Sequence, residues 1–180
     1  MILGDSLSAG YGIRVAEGWV ARLQERLKAQ GYEYRVVNAS ISGETTRGAL
    51  ARLPRALEVH RPAVVVIELG GNDGLRGFPV EVLRENLAAM ISLSEGAGAR
   101  VLLTEMRLPG NYGADYTEKF RAVYQELAAA TGAGLAPFFL EGVALNEELM
   151  QADGIHPNGV AQGVLLDNIW PFLEPLLADE

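Results

Sequence analysis

The chain has 180 residues, 49% hydrophobic and 21% charged, with a formal net charge of -8 at pH 7 and no cysteine. That size fits a single domain over residues 1–180 with a substantial core, and its acidity repels phosphate backbones, so nucleic acid is not an expected partner. Without cysteine there are no disulfides, thiolate metal sites or thiol nucleophile, and no apolar run reaches the length of a membrane span, so stable membrane insertion is not expected.

Residues 1–3 read as the tail of a strand that leads straight into Gly4-Asp5-Ser6-Leu7-Ser8. The abrupt opening leads us to expect that a leading segment was removed. A helix follows, with Trp19, Val20, Leu23 and Leu27 at helical spacing and Arg22, Glu25 and Arg26 on the opposite side. A second strand is expected over 34–38, and after it Thr45 or Thr46 caps a charged helix ending near His60. Segments 63–69 and 100–105 are nearly continuous aliphatic runs, as in strands of a parallel sheet buried on both faces. Val82, Leu83, Leu87, Met90 and Ile91 mark the helix between them. Phe120, Val123, Tyr124 and Leu127 mark the next one. A fifth strand is expected over 135–138. A last helix runs from about Asn158 toward Leu177, capped by Asn158 and bent near Pro171. This alternation predicts an α/β fold, a doubly wound three-layer α/β/α sandwich around a mostly parallel five-stranded sheet.

Open sheets of this kind bind ligands outside the carboxyl ends of their strands, and four polar clusters fall there. Ser6 directly follows the first strand, where its hydroxyl can point into the crevice and the small Gly4 allows a tight turn and close approach of a substrate. Alone, Ser6 reads equally as a helix N-cap. Asp153-Gly154-Ile155-His156-Pro157 supplies what a serine hydroxyl lacks: a histidine to take its proton, and a carboxylate three positions earlier to fix that histidine. Alone, it is also a polar turn before a helix-starting proline. Asn72, in Gly70-Gly71-Asn72-Asp73, offers an amide to a developing oxyanion. Gly43, in Ala39-Ser40-Ile41-Ser42-Gly43-Glu44, offers a backbone N–H. Both segments also read as ordinary turns. The other histidine, His60, lies at a helix end, and no HExxH-type pair or carboxylate cluster suggests a metal site.

As a set, these blocks resemble the SGNH hydrolases, the GDSL esterase/lipase family. They match as Ser6 in Gly-Asp-Ser-Leu, Gly43, Asn72 in Gly-Gly-Asn-Asp, and His156 in Asp-Gly-Ile-His-Pro, in order along nearly the whole chain. Residues 38–43, 68–77 and 107–109 resemble a bacterial branch of multifunctional thioesterases, lysophospholipases and arylesterases. The resemblance implies a flavodoxin-like SGNH fold. It also implies a Ser6–His156–Asp153 triad, an oxyanion hole of the Ser6 and Gly43 N–H groups with the Asn72 side chain, and a bracing role for Asp73. It further implies ester, thioester or lysophospholipid substrates, a monomer, and a periplasmic or secreted location, although the sequence shows no signal peptide.

The loop Met106-Arg107-Leu108-Pro109-Gly110-Asn111-Tyr112-Gly113 follows the fourth strand. Its Leu108, Pro109 and Tyr112 are expected to cover an acyl chain, and Ile155 to face substrate. The competing reading of this segment is a packed surface loop. No cofactor is expected, since neither GxxxxGK nor GxGxxG is present. Two other functions stay open: a carbohydrate acetylesterase on the same scaffold, and a non-catalytic acyl- or lipid-binding protein.

Overall fold

The computed structural model describes residues 1–177. Its sheet has four parallel strands in the order β1 (Ile2–Gly4), β2 (Val64–Glu68), β3 (Arg100–Thr104) and β4 (Gly134–Ala136). Every residue of β2 is buried, the outcome expected of an aliphatic run covered on both faces. The longer helices are α2 (Trp19–Ala29), α3 (Thr46–His60), α5 (Val80–Gly96), α6 (Ala114–Thr131) and α7 (Gln162–Leu173). Helix α2 packs on α7, while α5 packs on both α3 and α6, which makes the two outer layers. Two short helices, α1 (Ser6–Ala9) and α4 (Gly71–Leu75), sit at the carboxyl ends of β1 and β2.

The strand expected at 34–38 is reduced to one parallel bridge between Ile2 and Asn38, so the sheet has four strands rather than five. The Ile2 N–H donates to Val37 O and the Ala39 N–H to Ile2 O, both at 2.8 Å. Residues 34–36 find other partners. Gln24 of α2 accepts from the Val36 N–H at 2.8 Å and donates to Tyr34 O at 3.0 Å. The segment still lies outside β1, so the chain first winds to that side and then returns across β1 to β2. The winding direction therefore reverses between β1 and β2, and crevices at such a reversal hold ligands.

Buried apolar side chains form one continuous cluster. Trp19, fully buried, meets Phe139 edge-on with ring centroids 5.4 Å apart. Tyr124 is also fully buried, and its hydroxyl donates to Leu69 O at 2.8 Å, tying α6 to the end of β2. The last helix is shorter than expected. Asn158 closes the turn before it, accepting from the Val160 and Ala161 N–H groups at 2.9 and 3.3 Å. Helix α7 then starts at Gln162, runs through Pro171 and gives way to a 3₁₀ turn at Glu174–Leu176.

Candidate active site

Ser6 is the first residue of α1, which Asp5 caps by accepting from the Leu7 N–H at 3.0 Å, while Gly10 closes it at φ 78°. A first helical residue has no intrahelical acceptor for its own N–H, and the Ser6 N–H finds none elsewhere among the described residues. Gly4 serves packing rather than substrate approach. A Cβ there would lie 2.8 Å from both Glu68 Oε2 and Ser8 Oγ, so only glycine lets β1 run this close to them.

His156 Nε2 lies 2.9 Å from Ser6 Oγ, and His156 Nδ1 lies 2.6 Å from Asp153 Oδ2. The other Asp153 oxygen accepts from the Ile155 and His156 N–H groups at 2.9 and 3.0 Å. The His156 backbone N–H, then the His156 ring, then the Ile155 N–H hold the Asp153 carboxyl down at about 2. A carboxylate only accepts, so in the neutral imidazole Nδ1 carries the proton and Nε2 is free to accept from the Ser6 hydroxyl.

Two residues without an assigned role hold this loop against α1. Gln151 Nε2 donates to Tyr11 O at 2.7 Å and to Pro157 O at 3.0 Å, and the Gln151 N–H donates to His156 O at 2.7 Å. The Tyr11 ring lies against the His156 imidazole, centroids 4.4 Å apart. No spacing signal in the sequence marks either residue, because their pairing bridges 140 positions.

Gly43 sits in a turn at φ 78°, with the Glu44 N–H donating to Ile41 O and Arg76 donating to Gly43 O at 3.2 Å. Its own N–H has no acceptor among the described residues. Thr45 caps α3 by accepting from the Gly48 N–H. Buried Asp73 accepts from the Thr46 N–H at 2.9 Å and from its hydroxyl at 2.6 Å. That pair locks the turn bearing Gly43 to α4, so the geometry gives Asp73 a bracing position. Asn72 donates one amide hydrogen to Asp5 Oδ2 at 3.0 Å, and its second N–H has no acceptor among the described residues.

Beneath α1 lie two buried carboxyls, Asp5 and Glu68. Glu68 Oε2 accepts from the Ser8 hydroxyl at 2.7 Å, and Ser8 Oγ in turn accepts from Trp19 Nε1 at 3.2 Å, while Glu68 Oε1 is unpaired. Burial pushes Asp5 up to about 6. Burial and the Asp5 charge push Glu68 well above the usual glutamate range. The signal for Glu68 was available: a charged residue closing the aliphatic run 63–69 is out of place unless it is paired or neutral.

Ser6, Leu7, Tyr11, Ile13, His156 and Gln162 line a shallow surface depression. Ile155 beside it is half exposed. In the 106–113 loop, Leu108 packs against the core above Gly74 and Phe120, whereas Pro109 is exposed. The Tyr112 hydroxyl donates to Leu75 O at 3.0 Å. The loop base is anchored by Glu105, which accepts from Arg107, Arg121 and Gln125. A larger groove, about 180 Å³, lies at the opposite, amino ends of the strands, beside Leu27, Tyr34, His60 and Leu173. Among the described residues no group of three or more His, Asp or Glu side chains is arranged to hold a metal ion, and no helix is long and apolar enough to cross a membrane.

This arrangement pairs a serine with a histidine–carboxylate relay and unpaired N–H donors at a sheet edge. Residues 2–163 match the GDSL-like Lipase/Acylhydrolase family. The chain belongs to that family. It is 55% identical to Esterase TesA of Pseudomonas aeruginosa over 177 residues, 98% of this chain and 88% of the relative. It is 46% identical to Thioesterase 1/protease 1/lysophospholipase L1 of Escherichia coli K12, over 98% of this chain and 84% of the relative. The crystal structure of TesA superposes with a TM-score of 0.95, covering 97% of each chain. A psychrotrophic esterase, EstA of Pseudoalteromonas, superposes with a TM-score of 0.94 at 43% identity, covering 99% of this chain and 97% of that one. The GDSL family, its parallel α/β/α fold and the serine ester hydrolase class expected from the sequence are borne out by these matches.

Proposed function

We propose that this GDSL-family enzyme hydrolyses carboxylic esters and acyl thioesters, lysophospholipids included, through an acyl-enzyme on Ser6. The observation that carries the reading is the unbroken hydrogen-bonded chain from Ser6 Oγ through His156 to Asp153. In the first half-reaction Ser6 Oγ attacks the acyl carbonyl carbon and its proton passes to His156 Nε2. Asp153 holds the imidazole in the accepting tautomer and stabilises the imidazolium. The carbonyl oxygen gains a negative charge, which the Ser6 and Gly43 N–H groups and the second Asn72 N–H stabilise. Collapse breaks the bond to the alcohol or thiol, which leaves with the proton from His156. Water then repeats the sequence on the acyl-enzyme, releasing the acid and restoring Ser6.

Leu108, Pro109, Tyr112 and Ile155 supply apolar surface for the acyl chain, and the names of the relatives support both ester and thioester substrates. The same reading has the enzyme acting as a monomer on small molecules outside the cytoplasm, as the resemblance implies; cell fractionation and solution mass tests this part.

The test of the reaction is hydrolysis of p-nitrophenyl esters and acyl thioesters of graded chain length by wild type and Ser6→Ala. The variant should lose roughly 10⁴-fold or more in kcat, the scale of losing a triad member. Undiminished turnover by folded Ser6→Ala would overturn the reading, and a preference for acetylated polysaccharide would redirect it to carbohydrate esters.

A further inference from the structure

Asp5 makes two contacts that concern different parts of the site. Its Oδ1 accepts from the Leu7 N–H at 3.0 Å and so caps the helix that begins with Ser6. Its Oδ2 accepts from Asn72 Nδ2 at 3.0 Å, across 67 positions of sequence. The side chain is buried, and its carboxyl is in no salt bridge among the described residues. Capping α1 needs only one Asp5 oxygen; the second oxygen is committed to the amide expected to receive the oxyanion.

We infer that Asp5 is a positioning residue, which fixes the rotation of the Asn72 amide and sets it in register with the backbone N–H of Ser6. An amide is free to turn over unless its nitrogen and oxygen face different partners. With one N–H held by Asp5, the other is directed away from Asp5, and the carbonyl oxygen cannot take the nitrogen's place. A preorganised donor stabilises charge without reorganising at the moment of reaction. Because the same carboxylate caps α1, the donor on α4 and the nucleophile on α1 are tied to one group.

The neighbouring carboxyl keeps that group charged. Glu68 Oε2 lies 3.4 Å from the Asp5 N–H, Glu68 is fully buried and its Oε1 is unpaired. The charge on Asp5 disfavours a second charge on the buried Glu68. Glu68 is the more deeply buried, and burial together with the Asp5 charge raises its pKa, so Glu68 is the carboxyl favoured to hold the proton while Asp5 carries the charge.

This inference rests on the proposed role of Asn72, and the experiment separates the two. Asp5→Asn keeps a helix-capping oxygen but turns an NH₂ toward the NH₂ of Asn72. Relief requires one of the amides to flip, which removes either the cap or the oxyanion donor. Asp5→Ser keeps a cap and is too short to reach Asn72. Both variants, Asn72→Ala and the Asp5→Ser/Asn72→Ala double variant are assayed on one p-nitrophenyl ester, with thermal melts as a check of folding. The expected result is a kcat loss of roughly tenfold to a hundredfold in each Asp5 variant, up to the loss in Asn72→Ala, with KM within about twofold. The double variant should lose little beyond Asn72→Ala, since the two groups act as a unit. Wild-type kcat in a folded Asp5→Ser, or losses that multiply in the double variant, would overturn the inference. If Asn72→Ala itself keeps full kcat, the oxyanion role of Asn72 fails and this inference fails with it. If Asp5→Asn does not fold, Asp5→Ser and the double variant decide alone.

Discussion

His156 Nε2 stands 2.9 Å from Ser6 Oγ, although 150 positions separate the two residues in the chain. The contact joins the helix after the first strand to the loop before the last helix. The site is therefore assembled only when the sheet between them is complete.

The other end of that relay predicts a pH dependence. Asp153 is held at about 2 against an ordinary 3.8, by the backbone N–H and ring of His156 first. A lowered carboxyl pKa contributes stability that is present above the ordinary value and lost as pH falls toward the folded one. Asp153→Asn should therefore flatten the decline in melting temperature between about pH 4 and pH 2, measured by calorimetry. It should also lower kcat about 10⁴-fold, because the imidazole is then held in the wrong tautomer. Any acid limb of activity above about pH 4 belongs to groups other than Asp153.

Gln151 clamps α1 to the triad loop by donating to Tyr11 O and Pro157 O. The same packing explains Gly12, φ 73°, where a Cβ would collide with the Gln151 side chain. Gln151→Ala should loosen the approach of His156 to Ser6, with a kcat loss of about tenfold. Stability should change by only about 1 kcal/mol, since the freed carbonyls can reach water. Steady-state kinetics beside a urea titration distinguishes this from general unfolding, which would lower both together.

Gly70 links β2 to α4 at φ 111°, and a Cβ there would run into the Tyr124 hydroxyl that bonds Leu69 O. Gly70→Ala combines a backbone conformation that L-residues avoid with overpacking against a buried tyrosine. It should destabilise the protein by about 2–4 kcal/mol, read as a lower urea midpoint. A midpoint equal to wild type would show that α4 shifts to accommodate the methyl group.

Glu68 has the opposite linkage sign to Asp153. Its folded pKa is raised, so its contribution is most favourable below the ordinary 4.5 and is lost as pH rises through the folded value. Glu68→Gln imitates the protonated acid and cannot ionise. Its melting temperature relative to wild type should rise as pH increases above the ordinary 4.5. Activity near neutral pH should be retained within a few fold. A variant that loses stability equally at all pH values would show that the lost hydrogen-bond geometry outweighs the buried charge.

Much of this candidate site is legible in the amino-acid sequence. Ser6, Gly43, Asn72, Asp153 and His156 are candidates because they stand just after aliphatic strands or in a turn before a helix, and the resemblance to the SGNH hydrolases suggests their roles. Strand periodicity located those positions, because a parallel sheet buried on both faces needs uninterrupted apolar runs. The Asp153–His156 pair was legible too, since residues three apart in one turn can meet through local backbone geometry alone.

What the tertiary structure decided were contacts whose partners are far apart in sequence. Residues 34–38 are chemically suited to a strand, yet they make one bridge, Ile2 to Asn38, while the Val36 N–H and Tyr34 carbonyl pair with Gln24. Gly4 looked like room for substrate and proved to be room for Glu68 and Ser8. Tyr11, Gln151 and the Asp5–Asn72 bond carry no local pattern, because side-chain hydrogen bonds across a fold depend on where α1, α4 and the triad loop come to rest. The sequence by itself determined which chemical groups stand at the carboxyl edge of the sheet. Packing of the two helical layers determined which of those groups touch, since hydrogen bonds act over about 3 Å and only the assembled core sets distances to that tolerance.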